Sequence, residues 1–115
     1  MSFDEATFTG SVQDAMTALR AQGYEQTAFR NTFKPGQPYV GINSTYLTPG
    51  GDMFELQFHT SASFQMKDVV NHPLYELQRV LPRTDPTWDS LRQQMIQNSS
   101  TVPIPLNASK IKSVR

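Results

Sequence analysis

The 115 residues predict an α+β fold: a mixed, mostly antiparallel sheet of about four strands with helices packed on one face. Two observations carry this. In Phe54-Glu55-Leu56-Gln57-Phe58-His59-Thr60, apolar and polar side chains alternate with the period of a strand that has one face in a core and one face open. In Ser11 to Gln22, by contrast, Val12, Ala15, Met16 and Leu19 recur with the period of a helix.

Strands are expected near residues 3–9, 26–33, 39–47 and 53–60. The first, Phe3 to Thr9, is a short opening or edge strand. The helix after it takes Thr9 or Ser11 as N-cap and Gly23 as C-cap. Tyr24 to Phe33 is the second strand, and the loop Lys34-Pro35-Gly36-Gln37-Pro38 separates it from the third.

Thr48-Pro49-Gly50-Gly51-Asp52 turns the third strand into the fourth. A five-residue loop sets Leu47 opposite Met53, Thr45 opposite Glu55, Asn43 opposite Gln57 and Gly41 opposite His59. Ile42 and Tyr46 then face Phe58 and Phe54, so both strands share one apolar and one polar face, an agreement that a one-residue slip destroys. Side chains two apart on that polar face stand roughly 6–7 Å apart, close enough to line a cleft. The same pattern also describes a half-exposed hairpin with no site on it.

Thr60 to Ser63 caps a helix reaching about Asn71, with Phe64 and Val70 inward and Lys67 and Asp68 outward. Asn71-His72-Pro73 breaks and restarts the chain, and the next helix, to Leu81, buries Leu74, Leu77 and Val80 or Leu81. Asp85-Pro86 opens a last helix with Trp88, Leu91 and Met95 as its apolar stripe. Residues 1–100 read as a single domain and 101–115 as an extended basic tail.

Ten basic and ten acidic residues leave no net charge, so no global field draws the chain to DNA or to a membrane. The chain lacks Cys, which excludes disulfides and thiolate metal sites. No run approaches a transmembrane span, and Met1-Ser2-Phe3-Asp4 is not a signal peptide.

Tyr39-Val40-Gly41-Ile42-Asn43, a glycine-containing turn, Glu55-x-Gln57-x-His59-Thr60, a helix and then His72-x-x-Tyr75 together resemble the second half of a RelA/SpoT-type alarmone synthetase domain. His-Thr stands where that family usually has Arg-Thr, as in its toxin-like and phage-associated relatives. The resemblance implies a nucleotidyltransferase-like fold and a Mg²⁺-dependent transfer of pyrophosphate from ATP to a hydroxyl of a purine nucleotide or RNA. It implies catalytic roles for Glu55, Gln57 and His59, with Glu55 and Asp4 holding the metal. Arg30 and Lys34 would meet phosphates, Tyr39 would stack on the purine, and Asn43, Ser63, Lys67 and His72 would complete substrate binding.

A toxin or effector acting in the cytoplasm, delivered there as part of a secreted protein and opposed by an immunity or antitoxin partner, fits the same resemblance. The family's donor-site residues lie upstream of its first aspartate strand, and little precedes Asp4 here. Either the domain is truncated at its N-terminus, or its donor site is built differently, or it is a catalytically degenerate module that binds a nucleotide or a protein on the same scaffold.

Overall fold

The hairpin forms in the register that the alternation requires. In the computed structural model, which describes residues 2–114, β3 (Ile42–Leu47) and β4 (Met53–Thr60) pair antiparallel with Ile42 opposite Phe58, Asn43 opposite Gln57, Thr45 opposite Glu55 and Leu47 opposite Met53. β2 (Glu25–Asn31) adds antiparallel to β3, with a bulge between Gln26 and Ala28. A two-residue strand, β1 (Ser2–Phe3), lies parallel to the far end of β4, with Ser2 beside His59 and Phe3 beside Thr60. The result is a four-stranded mixed sheet in the order β1-β4-β3-β2. The fold is α+β, as expected.

The strand expected over residues 3–9 stops at Phe3. A short 3-10 turn (Glu5–Thr7) follows, and α1 (Phe8–Ala21) starts three residues ahead of Ser11. Phe8, Val12 and Met16, four apart, form the buried face of this helix, and the Phe8 ring meets Phe33 edge-on at 5.0 Å. That aromatic seat outweighs the β-propensity of the segment. Thr7 occupies the cap position, while Thr9 Oγ1 donates to the Leu106 carbonyl. Gly23 closes α1 as anticipated: at φ +88° it lets Tyr24 N–H reach back to Leu19 O.

α1 and the C-terminal segment cover the apolar side of the sheet. Phe8, Val12, Met16, Ile42, Phe58, Val102, Ala108 and Ile111 form one buried cluster, with Phe29 and Leu56 packed against it. The segment after residue 100 is tied to β2 by polar contacts too: Asn31 Nδ2 donates to Ala108 O, and Gln26 Oε1 accepts from Ser113 Oγ and Val114 N–H. α1 and this segment thus supply most of the cover over Leu56 and Phe58, and of the later helical segments Met66 packs against the same cluster.

Thr60 and Ser63 form a reciprocal capping box at the start of α2 (Ser61–Gln65). The expected break at Asn71-His72-Pro73 does not occur. α2 runs through a π-helical stretch (Met66–Asn71) directly into α3 (His72–Gln78). Pro73 has no N–H, and its ring would strike the Val69 carbonyl in a regular α-turn, a conflict that widening the preceding turn relieves. The buried face also differs from the expected one. Phe64, Val70 and Leu77, expected inside, are exposed, and of the Val80 or Leu81 alternative Val80 is 73% exposed while Leu81 is half-buried. Ser63, Asn71 and Gln78 are buried in their place. α4 (Pro86–Ser99) is capped by Asp85, whose Oδ1 accepts from Thr87 N–H, and it buries Met95. Among the described residues, no helix is long and apolar enough to cross a membrane.

Candidate functional site

Register alone aligns three of the expected residues. Arg30 on β2 is opposite Asn43 on β3, which is opposite Gln57 on β4, so they form one row across the polar face. This row is the floor of a cavity of about 670 Å³, a volume in the range of small-molecule pockets. Gln37, Pro38 and Tyr39 of the loop before β3 form one wall. Lys67, Asn71, His72 and Tyr75 of the continuous helix, with Gln78 and Met95 behind, form the other. Among the described residues, no aspartate or glutamate lines the cavity, whereas Arg30 and Lys67 do. Arg30 and Lys67 thus offer cationic contacts to an anionic ligand, with the Glu55 carboxylate at the cavity's margin, bonded to Gln57.

The loop wall is held by a buried amide. Asn71 Nδ2 donates to Pro38 O at 3.2 Å and to Ser99 Oγ at 3.0 Å, and Asn71 Oδ1 accepts from Asn98 Nδ2 at 3.1 Å. Ser99 Oγ donates to the same Pro38 carbonyl at 2.8 Å. One carbonyl of the loop is thereby tied to both the π-helical stretch and α4.

Tyr39 is fixed at both ends. Its ring stands edge-on to the His59 imidazole, with centroids 5.5 Å apart. Its hydroxyl lies 2.8 Å from Asn43 Oδ1 and 2.9 Å from His59 Nε2. Burial, and then the Glu55 carboxylate, pushes the pKa of this hydroxyl well above the usual tyrosine range. Gly41 makes the arrangement possible, because a Cβ there would sit 2.6 Å from His59 Cε1 and 2.8 Å from the Tyr39 hydroxyl.

Arg30, Tyr39, Asn43, Gln57, Lys67 and His72 are thus brought to one cavity. Glu55 stands beside them: it is exposed, and its Oε1 accepts from Gln57 Nε2 at 2.8 Å. His59 and Ser63 are elsewhere. Both are buried behind Tyr39, with His59 Nδ1 2.9 Å from Ser63 Oγ. Burial, and then the charge of Lys67, lowers the His59 pKa to about 4, so the ring is neutral near pH 7 and is not at the cavity wall to meet a phosphate. Lys34 is exposed on its loop and does not line the cavity. His72 does, and its ring is also 3.7 Å from Glu76.

Asp4 does not converge with Glu55. The parallel pairing of β1 places Asp4 past the Thr60 end of β4, while Glu55 lies five residues back along that strand, roughly 15–20 Å away at the rise of a strand. Among the described residues, no group of three or more His, Asp or Glu side chains is placed to hold a metal ion.

No protein-family model matches the sequence. No curated protein matches it either. The fold, however, is similar to that of a chain in the crystal structure of the complex between the Type VI effector Tas1 and its immunity protein. The TM-score is 0.63 at 17% identity, over 86% of this chain and 61% of that one. At that identity the likeness establishes a shared fold, and this chain spans less than two thirds of the other's length.

Several residues at the site carried a weaker sequence signal. Thr32 lines the cavity two positions beyond Arg30, on the face that period-two reasoning assigns to it, and its Oγ1 and N–H both bond Gly41 O. Tyr75, equally readable as a packing residue, is half-exposed at the cavity wall. Asn71 and Gln78 gave no signal, because their role follows from a helix that does not keep a 3.6-residue period.

Proposed function

We propose that this domain is a RelA/SpoT-like pyrophosphotransferase of the toxin or effector type, binding a nucleotide in the cavity above the Arg30–Asn43–Gln57 row. The observation that carries the reading is the row itself. Cross-strand register sets Arg30 and two carboxamides on one face with Tyr39, in a cavity lined by no Asp or Glu among the described residues, with Glu55 at its margin. The fold shared with a chain of an effector–immunity complex supports the effector reading, and with it an immunity partner for this chain.

In this mechanism the ring of Tyr39 offers a rigid aromatic surface to the purine. Arg30 and Lys67 hold phosphate oxygens by charge-assisted hydrogen bonds. The acceptor hydroxyl attacks the β-phosphorus of ATP, the bond between the α- and β-phosphates breaks, AMP leaves, and Glu55 takes the hydroxyl proton. Mg²⁺ is commonly held by one or two carboxylates together with substrate phosphates, and the exposed Glu55 carboxylate fits that mode where Asp4 does not. When bound there, the ion would neutralise triphosphate charge.

A second reading, a degenerate module that binds a nucleotide without transferring it, is favoured by His59: where the family usually has an arginine, this chain has a neutral ring behind the wall. The two separate on incubation with labelled ATP, Mg²⁺ and a panel of GDP, GTP, ADP and tRNA. Product from the wild type that is lost in Glu55→Gln supports the transferase. Equal product from both removes Glu55 from the mechanism. Nucleotide binding by calorimetry without product supports the second reading, and no binding at all refutes both.

A further inference from the structure

We infer that Ser63, His59 and Tyr39 form a relay that fixes the orientation of the Asn43 carboxamide, so that Asn43 and Arg30 present a paired set of hydrogen-bond donors to the phosphate oxygens of a ligand. The inference rests on the nucleotide reading for the identity of that ligand, but the relay stands on its own geometry.

Proton counting sets the direction of each bond in the relay. The Tyr39 hydroxyl has one proton, and the only group of Asn43 within its reach is the acceptor Oδ1, 2.8 Å away, so Tyr39 donates to Asn43. The contact between Tyr39 and His59 Nε2 at 2.9 Å then has only one possible donor, the imidazole N–H. His59 is therefore protonated at Nε2, and its Nδ1 accepts the one proton of Ser63 Oγ at 2.9 Å, in preference to Thr60 O, which lies farther from the same hydroxyl at 3.2 Å. Ser63 is in turn fixed by the capping box, where its Oγ also accepts from Thr60 N–H at 2.9 Å. Each link is buried or half-buried, where an unmatched donor or acceptor is costly, so the polarity of one bond sets that of the next.

The consequence reaches the cavity. With Oδ1 committed to Tyr39, the Nδ2 end of Asn43 is the end left for a ligand, on the same face as Arg30, its cross-strand partner and a fellow lining residue of the cavity. Guanidinium and amide NH₂ are both donors, which suits acceptor-only oxygens such as those of a phosphate or pyrophosphate. Ser63, His59 and Tyr39 act here as positioning residues. Gly41 leaves the space in which the histidine and tyrosine meet.

The test uses the whole domain and inorganic pyrophosphate as probe. Long-range proton–nitrogen NMR at neutral pH is expected to find His59 protonated at Nε2; protonation at Nδ1 alone overturns the relay. By calorimetry, Tyr39→Phe, which keeps the ring and removes the hydroxyl, is expected to weaken pyrophosphate binding by about tenfold, the scale of one charge-assisted hydrogen bond. In an Asn43→Ala background the same change is expected to have almost no effect, because Tyr39 acts through Asn43. Equal losses in the two backgrounds, or no loss in the wild-type background, overturn the relay and leave the nucleotide reading in place. A wild type that binds nucleotide but not pyrophosphate overturns the donor pair; one that binds neither overturns that reading as well.

Discussion

Acid should unfold this domain through His59. The imidazole is 2% exposed and titrates at about 4 in the fold, against about 6.5 for an unperturbed histidine. The fold therefore favours the neutral ring, while the unfolded chain takes up the proton first as pH falls. The stability contributed by this depressed pKa is fully present above about pH 6.5 and is lost progressively as pH falls from there through about 4. The complete shift corresponds to about 3 kcal/mol, of which about 2 kcal/mol should be gone by about pH 5. For a domain of this size that is a sizeable share of a typical total of roughly 5–15 kcal/mol. Urea denaturation at about pH 7.5 and about pH 5 measures the loss, and His59→Gln, which cannot titrate, should show much less of it. An NMR titration of His59 in the wild type guards against a variant that fails to fold. A midpoint near 6.5, or equal acid losses in wild type and variant, would refute the reasoning.

Two further substitutions probe the walls of the site. Gly41→Ala places a methyl group inside the His59 and Tyr39 contacts and should cost about 1–3 kcal/mol in a urea melt, with altered imidazole resonances; an unchanged midpoint would mean that the close approach is not maintained in solution. Asn71→Ala leaves Asn98 Nδ2 without its acceptor and frees Pro38 O from one of its two side-chain donors, so a loss of about 2 kcal/mol is expected, together with faster amide exchange at Gly36, Gln37 and Tyr39. Unchanged exchange there would show that Ser99 alone holds the loop.

The hairpin was legible because two independent patterns had to agree. The alternation in β4 and that in β3 match only in one register, and the Thr48 to Asp52 loop length selects it. Arg30 could then be placed on the polar face, although its alignment with Asn43 depended on where the bulge between Gln26 and Ala28 falls, which the sequence does not announce. Phe3 to Thr9 misled because Phe8 suits a strand or a helix equally, and only its contact with Phe33 decides. The helix from Ser61 to Gln78 misled for a deeper reason. Its π-helical stretch shifts the phase between its two halves, so Leu77 and Val80 turn outward while Asn71 and Gln78 turn in and bond backbone carbonyls. His59 was rightly placed on the strand but not in depth, because burial by Tyr39 and Ser63 is a tertiary fact.

The apolar cluster joins Phe8 to Ile111, partners separated by roughly a hundred residues of chain. A nascent chain emerging from the ribosome would thus have its sheet and first helix in hand while Ile42 and Phe58 still lack their last cover. Until Val102, Ala108 and Ile111 arrive, the half-built core is a surface for chaperones or for aggregation. Losing the bond between Val114 N–H and Gln26 would weaken the hold of this late-arriving cover on the sheet.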